Sequence, residues 1–271
     1  MRSIRIVALA GVVLAAAMAI ASAGAAPRQA EAVTKIDLSS PAAVGKYLRS
    51  IGVNPRTVVV QRGRRNYAGP QCPGKGWNCT KAHRVLQVAT RGTWNRFECS
   101  ESTGSYPSHA TTPDSCFVMQ SSESSNNLAV CRERTDAPDV TQSCTIIQQS
   151  TSGVNRARVR QVIEQDDEDT ATATQRTEVT QHNGSGKNLL RIVQKVGQRA
   201  DGYDYAVAQD LKSDQKFTIT QDAETGAQRA VIRQSTDQDA EAEDVTGGTQ
   251  REEAFLIGDV VHQTSDGKST I

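Results

Sequence analysis

Large side chains are scarce in this 271-residue chain, which holds four Phe, two Trp and five Tyr. A globular core normally leans on such groups. Their scarcity, beside abundant Gln, Thr, Ser and Ala, excludes an ordinary packed domain. Two classes are left, a disordered chain or a repeat fold of small regular rungs. Long hydrophobic runs are missing beyond residue 20, which excludes a membrane-spanning helix in the remainder. There is no CxxC pair, and His83, His109, His182 and His262 are scattered without an HExxH, so no metal site is expected. G-x-S-x-G, P-loop and dinucleotide-binding fingerprints are absent too. Neither an enzyme nor a cofactor is therefore expected. A lyase built on a repeat fold would need clustered Asp, Lys and Arg, and the sequence assembles no such cluster. Net charge is only +1 at pH 7, and no nucleic-acid partner is expected.

What is present begins at the first residues. Arg2 and Arg5 precede an apolar run from Ile6 to Ile20, and Ala21-Ser22-Ala23 forms an A-x-A cleavage signal. Residues 1–23 read as a secretory signal peptide, and the run is too short to span a bilayer comfortably. The mature chain is expected to be secreted, extracellular or at the cell surface, with no transmembrane segment. Six cysteines, Cys72, Cys79, Cys99, Cys116, Cys131 and Cys144, survive cleavage, and an even count in an exported chain implies three disulfides.

The strongest signal is a repeat. With Gln148 as position zero, Ile146 stands at −2, Gly153 at +5, Asn155 at +7, Ala157 at +9, Val159 at +11, Gln161 at +13 and Gln165 at +17. Gln181 heads the same series, with Val179, Gly186, Asn188, Leu190, Ile192, Gln194 and Gln198. Gln221 heads a third, with Ile219, Gly226, Gln228, Ala230, Ile232, Gln234 and Gln238. Weaker units start at Gln87 and Gln120, and the Gln250-to-Gln263 interval reads as a last, degenerate one. Internal repeats of this period signal a stacked array. Residues two apart share one face of a strand, so each unit reads as strand, glycine turn, strand. A buried amide without partners costs about 1–3 kcal/mol. Identical amides stacked one rung apart can donate to one another along the stack. The fixed Gln and Asn intervals therefore predict amide ladders inside a stacked β-structure.

The string Asn155-Arg-Ala157-Arg-Val159-Arg-Gln161, with Gln148 before it, resembles a curlin-type repeat. The resemblance covers roughly residues 83–271. It implies an all-β solenoid of stacked strand–turn–strand units and, from curlins, assembly into extracellular amyloid fibres. Residues 24–82 are then an N-terminal segment. Within it, Ser39-Ser40-Pro41 to Gly52 predicts a short helix, placed to cover an open sheet edge. With a charged, degenerate last repeat, both ends look capped, which favours a discrete rod.

Cys99 and Cys131 share position +11, and Cys116 and Cys144 share −4. The favoured pairing is Cys72–Cys79, Cys99–Cys116 and Cys131–Cys144. Stacked pairing, Cys99–Cys131 and Cys116–Cys144, is the rival that sequence leaves open. Outward positions of the second strands carry Arg156, Arg158, Arg160, Arg191, Arg229 and Arg233. They would line up as an arginine stripe for an anionic envelope polymer, or simply a solvated face. Asp166 to Asp169 matches no calcium loop. The expected role is structural or adhesive, at the cell surface or in an extracellular matrix, with self-association or a surface polymer as partner. The alternative is a monomeric binding module for an anionic envelope polymer.

Overall fold

The computed structural model describes residues 40–103, 114–137, 139–165, 170–202, 209–242, 250–264 and 268–270. The expected leader, residues 1–23, and the acidic run 166–169 lie outside them. One α-helix, α1 (Pro41–Ser50), comes first. Thirteen strands follow: β1 (Val59–Ala68), β2 (Asn78–Thr80), β3 (Arg84–Thr103), β4 (Asp114–Ser122), β5 (Asn126–Thr135), β6 (Asp139–Ser150), β7 (Val154–Gln165), β8 (Thr170–Asn183), β9 (Lys187–Gly202), β10 (Gln209–Ala223), β11 (Ala227–Ala242), β12 (Gln250–Thr264) and β13 (Lys268–Thr270). They form one parallel sheet in the order β12-β10-β8-β6-β4-β3-β5-β7-β9-β11-β13, with β1 paired to β3 and β2 to β1. The path runs down a stack of first arms, through β3, and up a stack of second arms. The sheet thus turns around an axis and nearly closes, which is the expected parallel β-solenoid with a small helix.

Period-two alternation builds the interior. Val85, Val118, Ile146, Val179 and Ile219 from the first arms meet Ala129, Ala157, Leu190 and Ala230 from the second, all buried in one cluster. Small and β-branched residues suffice because the two sheets are held close, so the scarcity of aromatics leaves no void to fill. Seven first-arm rungs at about 4.8 Å give a stack about 30 Å high, while arms of about 15 residues extend about 50 Å. The stacked arms of the described residues thus make a short, broad slab.

Three features correct the sequence reading. The solenoid starts at Val59, not near residue 83: Gln61 pairs with Gln87 and Asn66 with Asn95, so β1 is itself a rung. The last unit is shifted. Gln221 pairs with His262 rather than Gln250, which stands opposite Gln209. The Gln250-to-Gln263 interval matches the repeat by spacing alone, and β12 is a first arm throughout. Finally, α1 covers a face and not an edge. Ser40 caps it by accepting the Ala43 N–H at 3.1 Å. Val44 and Leu48 then bury against Leu86, Phe117, Met119 and Ile147, which point outward from the first arms of three successive rungs. These outward apolar residues would otherwise face water, and the helix removes them from it.

The turns are stacked as tightly as the strands. A methyl group on Gly186 would lie 1.8 Å from the Gly153 carbonyl oxygen, and one on Gly153 would lie 1.8 Å from that of Ser125. Gly226 repeats the close approach, 2.0 Å from the Gly186 oxygen, with φ of +131°. Glycine is needed at these three +5 positions because the turn below occupies the space of a Cβ. Gly186→Ala is expected to destabilise by at least about 2 kcal/mol in urea unfolding. Gly197→Ala, which meets nothing within 4 Å, should move the midpoint by less than about 0.5 kcal/mol. Equal midpoints for the two variants would sink the close-approach explanation.

Candidate functional site

The chemistry of this chain is concentrated in its interior amides. At position zero, Gln87, Gln120, Gln148, Gln181 and Gln221 each donate to the glutamine below at 2.6 to 2.8 Å, ending on Gln61. Each also donates across the core to a second-arm carbonyl, Gln148 to Arg156 at 3.1 Å and Gln181 to Leu189 at 3.2 Å, for example. At +7 the ladder is asparagine: Asn66, Asn95, Asn127 and Asn155 donate upward, to Asn95, Asn127, Asn155 and Asn188, at 2.8 to 2.9 Å. Their second N–H reaches the first arm of the next rung, as Asn155 does to His182 O at 2.7 Å. The two ladders therefore run with opposite polarity, and their amide dipoles oppose.

At +13, Gln234 donates to Gln194, Gln194 to Gln161, and Gln161 to the buried carboxylate of Glu133 at 2.7 Å. At +17, Gln238 donates to Gln198 and Gln198 to Gln165. A fifth ladder lay outside the sequence motif: Gln215, Gln175 and Gln142 at −6, linked at 3.0 Å. The same intervals that exposed the others would have found it. Eight of the nine predicted ladder residues, Gln148, Asn155, Gln161, Gln181, Asn188, Gln194, Gln221 and Gln234, take their places. Gln228 is the exception. It pairs in register with Asn188, but Asn188 donates instead to the carbonyls of Gln181 and Asp222. One extra methylene puts the Gln228 amide out of line with asparagines.

Four cysteines pack into the core as two stacked pairs, Cys99 beneath Cys131 and Cys116 beneath Cys144. Cys99–Cys116 is a disulfide, and so is Cys72–Cys79. Cys131 and Cys144 are buried thiols, against the expectation of a third bridge. Burial first, and then the hydrogen bond to Cys144 and the charge of Glu133, push the Cys131 thiol well up; burial also raises Cys144. Sulfurs of Cys116 and Cys131 and a Glu133 oxygen lie within 4.8 Å of one another. Because Cys116 is committed to Cys99, that group lacks the second thiolate that a soft metal ion requires.

The predicted arginines do share one surface. Arg156, Arg158, Arg160, Arg191, Arg229 and Arg233 are exposed on the outer face of the second-arm sheet. Nearby, Glu98 accepts from Nε and Nη2 of Arg96 at one oxygen and from the Tyr67 hydroxyl at the other, the latter at 2.9 Å. Burial pushes Glu98 up, yet these bonds and the charges of Arg96 and Arg132 together hold its carboxyl below the usual range. Shallow hollows open among the described residues, and two of them are lined by charged side chains. The larger, about 490 Å³, is lined by Arg49 and the Gly52–Arg56 segment. The smaller, about 290 Å³, lies over Arg176, Glu178, Lys216 and Phe217. Comparison with protein-family models, curated proteins and solved structures returned no match.

Two measurements test this core. Gln148→Leu keeps the volume but strands the Gln120 oxygen and one Gln181 N–H; it should cost about 2–4 kcal/mol in denaturant unfolding. A loss below about 0.5 kcal/mol would mean the ladder is not load-sharing. Iodoacetamide at pH 8 should leave the native, unreduced protein unlabelled and add two groups per chain after unfolding in urea. No labelling after unfolding would reveal a third disulfide.

Proposed function

We propose that this chain is an exported structural or adhesive protein, a disulfide-bonded slab that displays flat faces at the cell surface or in an extracellular matrix. The observation that carries this reading is the set of amide ladders running rung to rung through the core. Such a core fixes every strand in register and commits the interior to self-support, so recognition is left to the outer faces. Two disulfides suit an oxidising compartment, and among the described residues no helix is long and apolar enough to cross a membrane. The curlin-like repeat of the sequence fits the same setting.

A break in two ladders argues for discrete particles over endless fibres. Above Gln215 and Gln221, β12 places Leu256 and His262 in register, positions where the lower rungs carry glutamine. Purified residues 24–271, held for days at room temperature, should stay monomeric by light scattering and show compact particles by negative-stain electron microscopy. Unbranched fibrils would overturn the discrete reading and make the chain a polymerising matrix subunit.

A further inference from the structure

We propose that the outer face of the second-arm sheet binds a linear carboxylated polysaccharide, a polyuronate, through Arg156, Arg158, Arg160, Arg191, Arg229 and Arg233. The proposal rests on the exported, surface-displayed reading for its setting only. Register supplies the first argument. Arg158 stands directly beside Arg191, and Arg132 directly beside Arg160. Like charges in paired positions destabilise a sheet. Nothing in the fold requires arginine at these exposed sites, so a bound anion is the natural compensation.

The neighbours supply the second. Three other cations of this sheet are matched: Arg96 by Glu98, and Arg134 and Lys195 by Glu164, at 2.7 and 3.6 Å for the latter two. The six arginines make no ion pair or side-chain hydrogen bond among the described residues. Glu164 and Asp237 stand at the far end of the arms, at +16, leaving the columns at +8 to +12 positive from β7 to β11. Those columns are a lattice, spaced about 4.8 Å between rungs and about 7 Å along a strand. A planar guanidinium grips a carboxylate with two parallel hydrogen bonds.

The third argument selects a sugar polymer among polyanions. Leu189 lies between Arg156 and Arg229, Val193 between Arg160 and Arg233, and Val231 beside Arg191. Each is half-buried, so cation and aliphatic patch alternate, which suits a chain that offers carboxylates and apolar C–H faces in turn. Trp94, 44 % exposed, lies on the same face, one column from Arg96 and in register with Asn126. An exposed indole is a platform for a sugar ring. Single-stranded nucleic acid would want a run of such platforms, and this face carries one.

The test is a titration of residues 24–271 with polygalacturonate at low and physiological salt, alongside neutral dextran and a single-stranded DNA oligonucleotide. Polygalacturonate should bind, with affinity falling as salt rises, and dextran should not. Arg158→Gln, Arg160→Gln and Arg191→Gln combined should weaken binding at least tenfold, yet leave the melting temperature equal or higher, because paired like charges are removed. Trp94→Ala should weaken binding several-fold without changing the salt dependence. Unchanged affinity in the triple variant, or tighter binding of the oligonucleotide than of polygalacturonate, would overturn the proposal. Either outcome is scored on monomers or on fibrils, so it is separable from whether the chain polymerises.

Discussion

A buried primary amide has two N–H donors and a carbonyl acceptor to place, and the whole solenoid depends on how it does so. In each ladder one donor goes along the stack and the other crosses to a backbone carbonyl of the opposing arm, as Gln148 does with Gln120 and Arg156. The first bond demands the same residue type at the same height in the next rung. The second demands that the two arms stay a fixed distance apart. A one-residue slip in either arm would break both and turn every inward residue outward. Register is therefore specified by hydrogen bonding to a degree that a core of Val and Ala alone would not reach.

The same constraint explains what the chain tolerates. Successive zero-position glutamines are 33, 28, 33 and 40 residues apart from Gln87 to Gln221, yet the ladder distances hardly change. Linker length costs little once the rungs are in register, because loop-closure entropy grows only slowly with length. The turn at +5 has no such freedom. There the Gly186 backbone seats on that of Gly153, with Lys187 N–H on the Gly153 oxygen at 3.2 Å. Tight turns and loose linkers are two consequences of one stacking rule.

How much of this was legible follows from where the rule writes itself. Alternation at two residues exposed the strands, and fixed offsets exposed the ladders at 0, +7, +13 and +17. The −6 ladder uses the same amide logic but falls before the motif in each unit, so a window centred on Gln148 misses it. The first rung was hidden by its short turn, though Gln61 and Asn66-Tyr67-Ala68 carry the pattern. At the other end, Gln250 and Gln263 imitate a spacing without its pairing. Helix α1 was readable from Ser40, Pro41 and Gly52. Its seat was not, because that required noticing that Leu86, Met119 and Ile147 are apolar at outward positions. The arginine face followed directly from strand parity, while its like-charge neighbours emerge only once the rungs are aligned.

The two outer faces are consequently unequal. On the first-arm side the lower rungs are covered by α1, and the upper rungs mix signs, with Asp222 bonded to His182 and Asp214 to Lys216. That face is largely settled within the chain. On the second-arm side the cations at +8 to +12 face solvent with their acids placed beyond reach at +16. Inward positions are bound by the ladders and cannot vary without stranding an amide, whereas outward positions carry no such duty. Charge on an unconstrained face that raises the energy of the isolated chain calls for a partner outside it, and in this molecule that face is the arginine lattice.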